Sequence, residues 1–196
     1  MSRTIKDILA LFPETTNKDW KQHARGDGWV CSTAHAHESS FIEGIVYGNA
    51  LVYNDARVYG DAQVYGNAWV YDNAQVYGNA LVYGNARVYG NAQVCGNARV
   101  YGNARVFGDA WVYGDAWVFG DARVSGDAWK TTPLLVQGTK HTATNCKHGF
   151  IAIGCQVHTF AHWQTHVESI ARAHGYTEVE VAEYRSIVDF IVKVGK

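Results

Sequence analysis

The residues best equipped for chemistry are aromatic rings interleaved with arginines. Tyr83, Arg87, Tyr89, Arg99, Tyr101, Arg105, Phe107, Trp117 and Arg123 follow one another through the middle of the chain. Rings stack on planar ligands, and guanidinium groups neutralise phosphate through paired N–H donors. The same residues would serve equally as a packed surface between copies of the chain. A second set lies near the C-terminus, where Cys146-x-His148 and Cys155-x-x-His158 supply the ligand types of zinc. Four protein ligands would close such a site and make it structural. The spacing is not that of a standard finger, and small buried cysteines with surface histidines account for it as well. His35 and His37 fall on one side of an extended segment. Without further ligands they read as a solvated pair. Asp109 and Asp127 offer hard oxygen donors for calcium, although Asp and Asn serve turns equally well.

The elements that must position these side chains come from a six-residue unit, Val-Tyr-Gly-Asn/Asp-Ala-x, repeated without a break over residues 46–129. Its first position is Val in every unit from Val46 to Val124, and its fifth is Ala from Ala50 to Ala128. Ala and Val stand two residues apart, so in an extended strand they share a face, with Tyr and the variable residue on the other. The Gly slot departs from Gly only at Asn54 and Asp72. Gly, Asn and Asp are the residues that most readily take positive φ, so this slot reads as a left-handed corner. Short strands, identical corners and one small apolar face describe a solenoid, with each strand bonded to its equivalent about 4.8 Å along the axis. Burying each Val contributes roughly 1.5–3 kcal/mol. An unbroken column of β-branched residues argues against a flexible low-complexity tract.

The hexads, with their aliphatic first and small fifth positions as in Val82 and Ala86, resemble the hexapeptide-repeat proteins. That resemblance implies an all-β solenoid, a left-handed parallel β-helix with three hexads per triangular coil, and a homotrimer. Every eighteenth residue would then stack. One face would carry Tyr47, Tyr65, Tyr83, Tyr101 and Phe119, and the second Tyr53, Tyr71, Tyr89 and Phe107. The third would carry Tyr59, Tyr77, Cys95 and Tyr113. In the variable slot, Trp69, Arg87, Arg105 and Arg123 share a column, and Trp111 and Trp129 share another. Many members of that family are acyltransferases, and the γ-class carbonic anhydrases share the fold. Both chemistries call for His on or beside the coils. No His lies between His37 and His141, which counts against both.

The formal net charge of −1 gives no global drive toward long nucleic acid or anionic membrane. No apolar run approaches the roughly 18 residues of a membrane span. Four cysteines form no dense disulfide framework, so the expected compartment is a reducing cytoplasm. Residues 1–28 read as a helical N-terminal cap. Ser2 or Thr4 would start a helix through Leu11, and Trp20 falls in a second amphipathic stretch. Residues 29–129 form the helix of hexads, with a register slip of two between Ile42 and Val46. Residues 130–196 form an α+β C-terminal cap or docking module. Its strands are Leu134 to Gln137, Thr139 to Cys146 and Phe150 to Ile153, followed by helices capped at Thr159 and Thr177. The stretch Ile153-Gly154-Cys155-x-x-His158-Thr159, with Trp163 and Gly175-Tyr176-Thr177, resembles short proteins encoded by phages and prophages.

These readings combine into a non-enzymatic, phage-derived protein. It would sequester a small nucleotide-like ligand in intersubunit clefts, as a counter-defence sponge, with no cofactor beyond the zinc considered above. The alternatives are an acyltransferase using a tail histidine such as His158 or His162, and a structural or protein-docking scaffold.

Overall fold

The repeats turn Val and Ala inward from Val46 to Val124, and the Val column over that span is fully buried. The computed structural model describes residues 3–195. Two-residue strands such as Leu81–Val82 and Arg87–Val88 stack in parallel register. Leu81 lies opposite Arg99, Arg87 opposite Arg105, and Gln75 opposite Gln93. About six turns build three such faces, so the chain is a β-solenoid. The Asn54 and Asp72 corners take φ of 58° and 59°, matching the corner glycines. Space adds to conformation there. A Cβ on Gly84 would come within 3.0 Å of the Gly102 nitrogen one coil on.

The corner side chains form ladders. Asn49 donates to Asn67, Asn67 to Asn85 and Asn85 to Asn103, and Asn103 ends on Asp121 at 3.0 Å. Asn91 likewise ends on Asp109, and Asn97 on Asp115. An amide both donates and accepts, while a carboxylate only accepts. The change from Asn to Asp in the last turns therefore marks the end of each ladder.

The first coil is two residues short. Val30 faces Val46, Ala36 faces Val52 and Ile42 faces Val58. The corner is tightened at Gly44, where a Cβ would lie 2.4 Å from the Ala62 carbonyl oxygen. At the other end the repeat breaks one residue earlier than its sequence implies. Ala128 stands opposite Trp111, and Trp129 stands opposite Val112. Trp129 was expected in the outward column. A one-residue slip swaps faces, so Ala128 is exposed and Trp129, 4% exposed, plugs the interior.

At the N-terminus, α1 (Ile5–Leu11) is capped by Thr4, with Asp7 completing a capping box. Ser2, the other candidate cap, lies outside the described residues. Trp20 does not continue a helix. Trp20–Gln22 is a strand antiparallel to Trp29–Cys31 on the edge of the first face. Its Trp packs with Ile8 and Ile45 over the first coil, where an uncovered sheet edge would invite pairing.

The C-terminal module is a four-stranded antiparallel sheet of Leu135–Gln137, Thr142–Lys147, Phe150–Ile153 and Gln156–Thr159. Gln156–Thr159 adds a fourth strand to the three that the sequence predicts. Two helices, α2 (Phe160–Ala173) and α3 (Glu178–Val194), cover the sheet. Leu135 packs onto the solenoid core, and the Trp117 amide donates to Thr132 Oγ1 at 3.0 Å.

Candidate functional site

The structure divides the ring and arginine set between two faces. Tyr83, Arg99, Tyr101 and Trp117 belong to the face of Leu81–Val82, and Arg87, Tyr89, Arg105, Phe107 and Arg123 to that of Arg87–Val88. Within one chain they are not a single cluster.

The rings stack on one another. Tyr65 and Tyr83 lie 4.9 Å apart and 2° from parallel, and Tyr83 and Tyr101 lie 5.0 Å and 3°. Tyr89 and Phe107 are 5.3 Å apart. Inserting a base between two rings needs roughly 7 Å, twice the optimal carbon–carbon separation. The ladder therefore closes its faces to a ligand and presents edges and hydroxyls. Tyr47, Tyr59 and Tyr77 donate those hydroxyls to Gln63, Gln75 and Gln93 of the next coil at 3.1–3.2 Å. Burial pushes the Tyr47 phenol up to about 12, with Tyr65 adding to the effect. Burial also raises Tyr65, Tyr71 and Tyr83.

The arginines remain available. Arg87, Arg105 and Arg123 occupy consecutive register positions, one strand spacing apart. Among the described residues, the ion pairs of this chain involve none of them, nor Arg99. Arg87 lies over the Trp69 ring at 4.9 Å, and Arg99 over Trp117 at 5.2 Å. Two indoles stay open on neighbouring faces, Trp111 at 43% exposed and Trp117 at 44%.

The zinc candidates are not brought together. Cys146 is buried on Thr142–Lys147, and His148 sits in the following turn, where its amide donates to Asp127 at 2.7 Å. Cys155 occupies the turn at the far end of Phe150–Ile153, about 13 Å away by the rise of a four-residue strand. His158 stacks on His162 instead. Asp127 is engaged with His148, so it does not share a calcium corner with Asp109. Among the described residues no group of three or more His, Cys, Asp or Glu is placed to hold a metal.

Two further histidine arrangements emerge from the fold. The rings of His158, His162 and His166 stack at 4.3 Å intervals. Burial, helped by the other two rings, pushes the His158 pKa down. The signal was the four-residue spacing running into α2. His23 is buried, with its ring nitrogens 3.1 Å from the carbonyl oxygens of Arg25 and His37. Nothing in the sequence around His23 marks it.

Parallel register, left-handed corners and a Val–Ala interior now define the repeat, and a family model agrees. Residues 46–60, 62–74, 74–90, 82–96, 92–104 and 98–114 match the YdcK Beta solenoid repeat. Over that stretch the repeats are similar to those of this β-solenoid repeat family. The matches end before Trp117 and Arg123, so the plugged last turn and the C-terminal module lie outside them. No curated protein and no solved structure matches the chain. No described helix is long and apolar enough to cross a membrane.

Proposed function

We propose that this protein binds and holds a small phosphate-bearing, nucleotide-like molecule on its arginine column, in clefts between copies of a homotrimer, without transforming it. The observation that carries the reading is the register of Arg87, Arg105 and Arg123, with no carboxylate in ion-pair range among the described residues. Like charges held one strand spacing apart repel by roughly 1 kcal/mol per pair even in bulk water. An anion laid across them relieves that repulsion and gains charge-assisted hydrogen bonds. The ring ladder beside the column supplies a rigid wall rather than a stacking platform. In this reading the repeats are of the hexapeptide kind with left-handed winding, and the protein is a phage-derived, cytoplasmic sequestering factor acting in counter-defence.

Trp111 and Trp117 favour a second reading, a docking scaffold, because exposed indoles are common anchors of interfaces. Native mass spectrometry of the protein purified from cells separates the two. A trimer with added mass that leaves under harsh activation supports ligand capture. A bare trimer transfers the weight to docking, and a bare monomer removes the intersubunit clefts.

A further inference from the structure

The C-terminal module borders two adjoining pockets, which share only Arg123 with the arginine column. One is an apolar cavity of about 160 Å³ between the sheet and its helices, lined by Ile153, Trp163, Val167, Ile170, Ala171 and Tyr176. A dry cavity of about 150 Å³ accommodates a benzene-sized ligand. The other is a polar cleft of about 280 Å³ between the last solenoid turn and the sheet, lined by Arg123, Gln137, Thr142 and Thr144 among others. Lys140 and His141 line both.

Two cationic side chains, Arg123 and Lys140, line the cleft against one carboxylate. That carboxylate, Asp121, already accepts from Asn103 at 3.0 Å. Lys140 is held by Glu180 at 3.2 Å and lies over the Tyr176 ring at 4.6 Å, which fixes its stem between the pockets. Arg123 has no carboxylate within ion-pair distance among the described residues. The Tyr176 phenol lines the apolar cavity, and burial there pushes it up to about 12.

We infer that the C-terminal module is a binding site for a small amphiphilic anion, with one aromatic ring or short branched chain in the apolar cavity and its phosphate or carboxylate in the cleft beside Arg123 and His141. This goes beyond the solenoid reading and stands if that reading falls. Cys155, exposed in a turn at the cavity mouth, reports on occupancy, because Cys95 and Cys146 are buried and Cys31 is half-buried.

The test uses the full chain and phenyl phosphate as probe, read by amide NMR shifts and by the rate of Cys155 alkylation. Saturable shifts at Ile153, Trp163 and Ala171, with slowed alkylation of Cys155, are expected. Inorganic phosphate, which lacks the ring, should bind at least about ten-fold more weakly. Ala171→Leu fills the cavity and should weaken phenyl phosphate by about ten-fold or more. If that variant does not fold, His141→Gln changes an exposed side chain at the junction and should weaken phenyl phosphate without closing the cavity. The inference is overturned if phenyl phosphate gives no saturable shift at the cavity residues. It is equally overturned if inorganic phosphate binds as well, or if the folded variants bind phenyl phosphate as wild type does.

Discussion

Val82 and Tyr184 are both almost fully buried, yet they hold their surroundings in different ways. Val82 is one of many equivalent residues in a column, each packed against its counterparts one coil above and below. Tyr184 acts once. Its hydroxyl accepts from the amides of Lys140 and His141 and donates to the His141 carbonyl at 2.8 Å, tying α3 to the loop before Thr142–Lys147. The solenoid spreads its stability over repeated small terms, as stacked-repeat architectures do. The C-terminal module concentrates it in single contacts. The surfaces follow the same division: the solenoid presents a periodic face, and the module a half-open apolar cavity between its sheet and helices.

The largest expected effect is on the column. Val82→Asp buries a carboxylate without a partner, which costs about 3–5 kcal/mol or more. Circular dichroism and solubility should show loss of the folded solenoid. A soluble, fully folded variant would contradict the inward column. Tyr184→Phe keeps the ring and removes the hydroxyl, so the Lys140 and His141 amides lose their acceptor at a cost of about 1–3 kcal/mol. In denaturant titrations that loss should fall on the module, with the solenoid transition unmoved. Equal shifts in both would erase the contrast.

Alkali should act on both regions through their tyrosines. The Tyr47 and Tyr176 phenols are raised to about 12 by burial, against about 10 for a free phenol. A raised folded pKa gives stability that is whole below pH about 10 and is lost as pH climbs through about 12. Phenolate absorbance should therefore lag behind that of the unfolded chain, and unfolding should set in across that window. The smallest effects belong to the corners. Asn85→Ala removes two exposed rungs, to Asn67 and Asn103, and should cost about 0.5–1 kcal/mol. Asp115→Asn keeps the acceptor at a ladder end and should change stability by no more than about 0.5 kcal/mol.

Much of the solenoid was legible because its signal is redundant. A Val every six residues fixes which face is buried, and the Gly slot fixes the corners, including the exceptions Asn54 and Asp72. The buried face of α3, formed by Val181, Tyr184, Ile187, Val188 and Ile191, follows helical spacing. Trp129 was misplaced because the period gives no warning of its own end. Only tertiary packing, a large ring filling the open interior, turns it inward. The strand Gln156–Thr159 escaped notice because four residues beside a helix cap carry too little alternation. The ring ladder was legible as a stack but not as a closed one, since ring spacing follows from strand spacing and not from residue type. The cavity around Trp163 and Ala171 brings together residues from separate strands and both helices, and no local pattern encodes that meeting.

The most direct test of the arginine column is a calorimetric titration of the purified protein with adenosine diphosphate, at low and at high salt, for wild type and Arg105→Gln. Saturable binding that weakens with salt and falls about ten-fold in the variant is the predicted result. No saturable binding, or equal affinity in the two proteins, would contradict it.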